Sequence, residues 1–150
     1  MIDMKKLEHQ LREKDLRITS HRKAILEAFL HEAKHLLTAA EVLTLVMEQG
    51  VKINFSTVYR NLEALTEKEI LKRYNLDNGI NYYELDVHEH HHHLICLDCG
   101  DTQTIFKCPI EAFKKEIEQT SDFIPVEHKL EIYGYCKTCR GNAFPLYKKT

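Results

Sequence analysis

The sequence predicts an α+β chain: an N-terminal winged helix-turn-helix followed by a small α+β domain built round a four-cysteine zinc site. Three observations predict it. Apolar residues recur at helical spacing through the first half, then give way to two short extended runs joined by Asp77-Asn78-Gly79. Apolar and polar residues alternate at period two late in the second half. Two Cys-x-x-Cys pairs, Cys96/Cys99 and Cys136/Cys139, bracket that half. Their four sulfurs are ligands that a borderline-soft divalent ion selects. The expected division is a DNA-binding domain over 1–85, a hinge over 86–89 and a metal-binding domain over 90–150.

Met4, Leu7 and Leu11 fall on one face of a first helix that ends near Lys14. Thr19-Ser20 offers a cap to a second helix carrying Ala24, Ile25, Ala28 and Phe29. Thr38-Ala39-Ala40-Glu41 has the spacing of a capping box, opening a third helix with Val42, Leu43 and Val46 inward and Gly50 at its end. After an extended Val51-Lys52-Ile53, a fourth helix runs from about Ser56 to Thr66. Val58, Leu62 and Leu65 share its apolar face, leaving Tyr59, Arg60 and Glu63 outward. Ser56, Thr57, Tyr59 and Arg60 crowd its first turns, where a recognition helix offers hydroxyls to phosphates and long side chains to base edges. Ile70–Tyr74 and Ile80–Leu85 are expected strands, with Asn78-Gly79 as the hairpin turn. Lys72 and Arg73 on this wing are candidate phosphate contacts.

In the second half, His90–Ile95 and Thr102–Phe106 are expected to pair across the Cys96–Cys99 knuckle. Pro109 suits the first position of a helix with Ile110, Phe113 and Ile117 inward, and Glu127–Tyr135 is a third strand. Of ten histidines, five fall between His88 and His93. On a strand, successive side chains alternate, so His90 and His92 face one way and His91 and His93 the other. One pair can join His128 and Glu111 at one ion. The other can join Glu84 and a residue of the first half, for which His35 is the candidate. Cys108 has no Cys-x-x-Cys partner and reads as a packed or incidental thiol.

Composition limits the alternatives. Residues 1–75 carry 13 Lys and Arg against 11 Asp and Glu, and residues 76–150 carry 8 against 12. This mild asymmetry permits a DNA-binding first half without establishing one. The absence of a long apolar run and of a signal-like apolar core leads us to expect a cytoplasmic protein with no membrane association. A four-cysteine zinc leaves no position for a reacting water. The deaminase pattern also fails, since His88 and Glu89 are adjacent and Ile95 precedes Cys96. No enzymatic activity and no small-molecule substrate are expected.

Four motifs occur in order across essentially the whole chain. They are Arg17-x-Thr19 before a helix, Ser56-Thr57-Val58-Tyr59-Arg60-Asn61-Leu62, His90-His91-His92-His93-Leu94-Ile95-Cys96-x-x-Cys99-Gly100 and Tyr133-Gly134-Tyr135-Cys136-x-x-Cys139. Together they resemble the ferric uptake regulator family. The resemblance implies a homodimeric, metal-dependent transcriptional repressor of metal-uptake genes on double-stranded palindromic operator DNA, dimerising through its second domain. It implies structural Zn(II) at Cys96, Cys99, Cys136 and Cys139, a second site at His90, His92, Glu111 and His128, and a sensing site at His35, Glu84, His91 and His93. Tyr59 and Arg60 match positions that meet DNA. Fe(II) or Mn(II) is the implied regulatory ion, with peroxide-sensing and zinc- or manganese-responsive branches as alternatives. The family's sensing site usually takes a carboxylate from the strand after the knuckle. Gln103-Thr104 stands there in this chain, which makes the site less anionic and counts against the peroxide-sensing branch.

Overall fold

The computed structural model describes residues 2–32, 36–76, 79–86 and 90–141. The chain divides into two compact units, Met1–His88 and Glu89–Thr150.

In the first unit, helix α1 (Met4–Glu13) starts where the Asp3 carboxylate accepts from the Lys6 N–H at 2.9 Å. It buries Leu7 and Leu11, one turn apart. Thr19 caps α2 (Ser20–His31), which is apolar around much of its circumference. Thr38 and Glu41 form the expected capping box of α3 (Ala39–Glu48): the Thr38 hydroxyl accepts from the Glu41 N–H, and Glu41 accepts from the Thr38 N–H at 2.7 Å. Helix α4 (Phe55–Glu67) begins one residue before the expected start, because Asn54 accepts from the Thr57 N–H at 2.9 Å. Its apolar stripe of Val58, Leu62 and Leu65 is fully buried.

Three of these helices end in the same way. The N–H two residues past the cap returns to the carbonyl five residues back: Leu16 to Leu11, Val51 to Val46 and Ile70 to Leu65. Such a closure requires a left-handed residue after the cap. Only α3 uses glycine, with Gly50 at φ +80°; α1 uses Asp15 at +57° and α4 uses Glu69 at +52°. No glycine marks those two stops in the sequence.

The wing has three strands. Strands β2 (Leu71–Asn75) and β3 (Asn81–Leu85) form the expected antiparallel hairpin, and the two-residue β1 (Leu37–Thr38) adds to β3 through Leu37 opposite Tyr83. The connecting piece Val51–Ile53 is neither helix nor strand. Asp77 and Asn78 of the turn lie outside the described residues, while Gly79 has the left-handed φ of +73° expected of a hairpin turn. Glu63, expected outward, instead turns toward this sheet. It accepts from the buried Tyr83 hydroxyl at 3.1 Å and from Arg73 at 3.0 and 3.1 Å.

Among the described residues, the second unit is one three-stranded sheet and one helix. Strand β4 (His92–Cys96) pairs antiparallel with β5 (Thr102–Ile105) and parallel with β6 (Glu131–Gly134). Two expectations need correction. Strand pairing begins at His92 rather than His90, and the last strand is Glu131–Gly134 rather than 127–135, so His90 and His128 lie just outside the ladder. Helix α5 (Glu111–Thr120) is capped at Ile110, so Pro109 stands before the cap rather than at the first helical position. No residue of α5 is fully buried: of the stripe expected inward, Ile110 and Ile117 are half-buried and Phe113 is 57% exposed.

Candidate metal centres

The Cys96–Cys99 turn closes where Gly100, at φ +71°, donates its N–H to the Cys96 carbonyl. The Cys136–Cys139 turn closes by the equivalent bond, the Arg140 N–H donating to the Cys136 carbonyl at 2.9 Å. Parallel pairing of β6 with β4 sets Cys96 opposite Gly134, and the Leu97 N–H reaches the Gly134 carbonyl at 2.8 Å. The two knuckles are thereby stacked. All four sulfurs lie within 4.8 Å of one another, with Cys99 and Cys136 at 3.8 Å. Tetrahedral zinc with Zn–S near 2.3 Å needs sulfurs about 3.8 Å apart, so the donor set fits a closed structural zinc. Backbone N–H groups of Cys136 and Cys99 face the Cys96 sulfur and lower its thiol to about 6. That favours the thiolate a metal requires.

Strand β4 divides the histidines as alternation dictates. His92, 3% exposed, meets His90 and His128. Their Nε2 atoms lie 3.1 Å (His90–His92), 3.1 Å (His90–His128) and 3.4 Å (His92–His128) apart. The Cys108 sulfur stands 3.3 Å from the His128 Nε2, and the four ligand atoms all fall within 4.8 Å. Burial, then the His90 and His128 rings, depress the His92 pKa; burial chiefly depresses that of His128. Both shifts favour the neutral imidazole that ligates metal. Glu111, expected as the carboxylate here, stands outside this group, 60% exposed and 3.9 Å from the Lys114 ammonium. Cys108, which the sequence left without a role, occupies the position beside the histidines. No spacing motif signals it, since 20 residues separate it from His128.

On the other face of β4, His93 is buried and its ring centroid lies 5.1 Å from that of His91, nearly perpendicular to it. Glu84, in the first unit, is 2% exposed on β3 and accepts from the Tyr74 hydroxyl at 2.7 Å. His35 lies outside the described residues.

The DNA-facing candidates are on α4 and the wing. Ser56, Tyr59 and Arg60 are exposed and Thr57 is half-buried in the first two turns of α4, with Tyr59 stacked near Phe55 at 6.4 Å between ring centroids. The wing cations are already engaged. Lys72 pairs with Asp86 at 3.0 Å and Arg73 with Glu63. A phosphate would have to compete with those carboxylates.

The family profile described as "Ferric uptake regulator family" matches residues 13–133. A ferric uptake regulation protein of Neisseria gonorrhoeae is 34% identical over 131 residues, covering 87% of this chain and 91% of that protein. Among solved structures, the Vibrio cholerae ferric uptake regulator, described with its DNA-binding domains rearranged, superposes with a TM-score of 0.77 at 31% identity, covering 85% of this chain and 98% of that one. The Francisella tularensis regulator, solved with iron, gives 0.73 at 34% identity, covering 83% and 95%. The profile match runs from the end of α1 into β6, and so takes in the helices, the wing and the Cys96–Cys99 knuckle. This chain belongs to the ferric uptake regulator family, whose members are metal-responsive transcriptional regulators rather than enzymes.

Proposed function

We propose that the protein is an Fe(II)-dependent repressor of metal-uptake genes, acting in the cytoplasm as a homodimer on a palindromic operator. The observation that carries this reading is the division of labour along β4. Its end, with the second knuckle, contributes to a closed four-thiolate centre suited to permanent zinc. Its start presents His93, which with His91 just before the strand makes a pair of imidazoles suited to an exchangeable ion. The regulatory ion is held by His91 and His93, completed from the first unit by Glu84 and His35 as the family resemblance implies. With a single carboxylate the set is less anionic than one with two, which suits an ion that arrives and leaves as its supply changes. Support for the dimer comes from apolar side chains left open within one chain: Phe113, Phe123, Ile124 and Val126 are 57–89% exposed.

Metal binding then acts by favouring the arrangement of two recognition helices that fits successive major grooves. A coupling of roughly 1–3 kcal/mol changes operator affinity about 5- to 150-fold. The test is operator binding by fluorescence anisotropy on zinc-replete protein, with added Fe(II), Mn(II), Zn(II) or none, under anoxia. Affinity that rises with Fe(II), and falls in His93→Ala and in Arg60→Ala for different reasons (metal loss and DNA contact), supports the reading. Equal affinity with and without added metal overturns it, and a rise confined to Zn(II) or Mn(II) reassigns the ion.

A further inference from the structure

We propose that Cys108 is a thiolate ligand, and that His90, His92, Cys108 and His128 make a second metal centre with three nitrogens and one sulfur, selective for Zn(II)-like ions over Mn(II). The argument begins with the three ring nitrogens. Each His Nε2 carries either a proton or a lone pair. A triangle with edges of 3.1, 3.1 and 3.4 Å has three contacts. One N–H points along only one edge, so no assignment of protons satisfies all three, and at least one edge sets like groups against each other. A cation inside the triangle turns all three lone pairs into ligand bonds.

The size is right as well. For those edges, an ion at about 2.0–2.1 Å from every nitrogen lies about 0.9 Å out of their plane. The Cys108 sulfur, 3.3 Å from the His128 Nε2, is close to the roughly 3.5 Å expected between nitrogen and sulfur on one tetrahedral zinc. Binding replaces the thiol proton: Cys108–SH and M²⁺ give Cys108–S⁻–M²⁺ and a released H⁺.

Donor softness then decides selectivity. A thiolate with three imidazoles suits Zn(II) and Co(II), whereas Mn(II) prefers carboxylate and water oxygens. Had Glu111 been the fourth ligand, the same three histidines would form a harder site. Its carboxylate is instead 60% exposed and near Lys114. This centre is separate from the proposed regulatory pair on the opposite face of β4, and its assignment does not depend on the repressor reading.

The experiment uses full-length protein whose four-cysteine centre holds one zinc per chain, verified before and after titration with Co(II). Retained zinc means any new sulfur-to-cobalt charge-transfer band does not arise from the knuckles. The expected result is that band together with tetrahedral d–d absorption. Both Cys108→Ala and the near-isosteric Cys108→Ser lose the charge-transfer band, and affinity falls by more than the roughly 10- to 100-fold typical of losing an outer-shell partner. Glu111→Gln retains the band. A band that survives in both Cys108 variants with zinc in place overturns the proposal, as does loss of this cobalt site in Glu111→Gln alone. Zinc retention in each variant reports that the unit has folded. Displacement of the bound Co(II) by equimolar Mn(II) overturns the selectivity.

Discussion

In the first unit, Leu7, Leu11, Ile25, Leu26, Val42, Val58, Leu62 and Leu65 are sealed from solvent in a single cluster reached from all four helices. In the second, the buried side chains among the described residues are Ile95, Cys96, Cys139, His92, His93 and Thr102. Each fully buried aliphatic side chain contributes about 1.5–3 kcal/mol, so the first unit has an ordinary hydrophobic source of stability. The second has very little of one. Its helix has no fully buried residue, and its parallel and antiparallel strands converge on ligand atoms. Four thiolates placed to hold an ion stand where a core would be, and the apolar side of α5 is left open within one chain.

The sharpest way to break that comparison is to remove the zinc. Free energies of about 10–16 kcal/mol are typical of structural zinc in small peptides, more than enough to hold a unit with so few buried apolar groups. Stripping zinc with a strong chelator at neutral pH is expected to abolish amide-exchange protection in β4, β5 and β6 while leaving α2, α3 and α4 protected. Protection that persists in the sheet without metal would mean the second unit has its own sufficient packing.

A pair of substitutions sharpens the contrast at the next scale. Leu62→Ala leaves a cavity in the first unit and should cost about 2–5 kcal/mol in denaturant unfolding. Phe113→Asp on the open face of α5 should change the stability of a single chain by only about 0.5 kcal/mol, yet shift sedimentation from dimer to monomer. Dimers that survive Phe113→Asp place the partner surface elsewhere.

The smallest effect lies at a helix stop. Glu69 holds a left-handed φ of +52° that costs a residue with a Cβ roughly 1–2 kcal/mol. Its ion pair with Lys14 spans 3.6 Å with the glutamate side chain 82% exposed, and is worth little. Glu69→Gly should therefore raise stability by about 1 kcal/mol, read as a higher melting temperature. A loss would show that the pair, or the entropy of the unfolded glycine, outweighs the relief.

How much was legible depended on sequence distance. The Thr38–Glu41 box, the α4 stripe and the β2–β3 hairpin rest on neighbours within one turn or one ladder, and the structure contains them as read. The ends of α1 and α4 were legible to within a residue, but their left-handed closures at Asp15 and Glu69 were not, because aspartate and glutamate take the left-handed region only when a closed hydrogen-bond pattern holds them there. Glu63 looked like a solvated outer residue. The sheet that folds back beside α4 brings Tyr83 and Arg73 to it, and no helical periodicity reports that.

By itself, the sequence determined the ligand types, the two thiol knuckles and the split of four consecutive histidines into two pairs. Each follows from local geometry: a two-residue turn between cysteines, or a pleat that sends neighbours to opposite faces. Only the tertiary structure decided who completes each group. Parallel pairing of β6 with β4 stacked the knuckles, and the segments before α5 and β6 delivered Cys108 and His128 to His90 and His92 while Glu111 stayed outside. Those choices depend on how distant segments pack, and packing is a property of the whole unit that no short motif encodes.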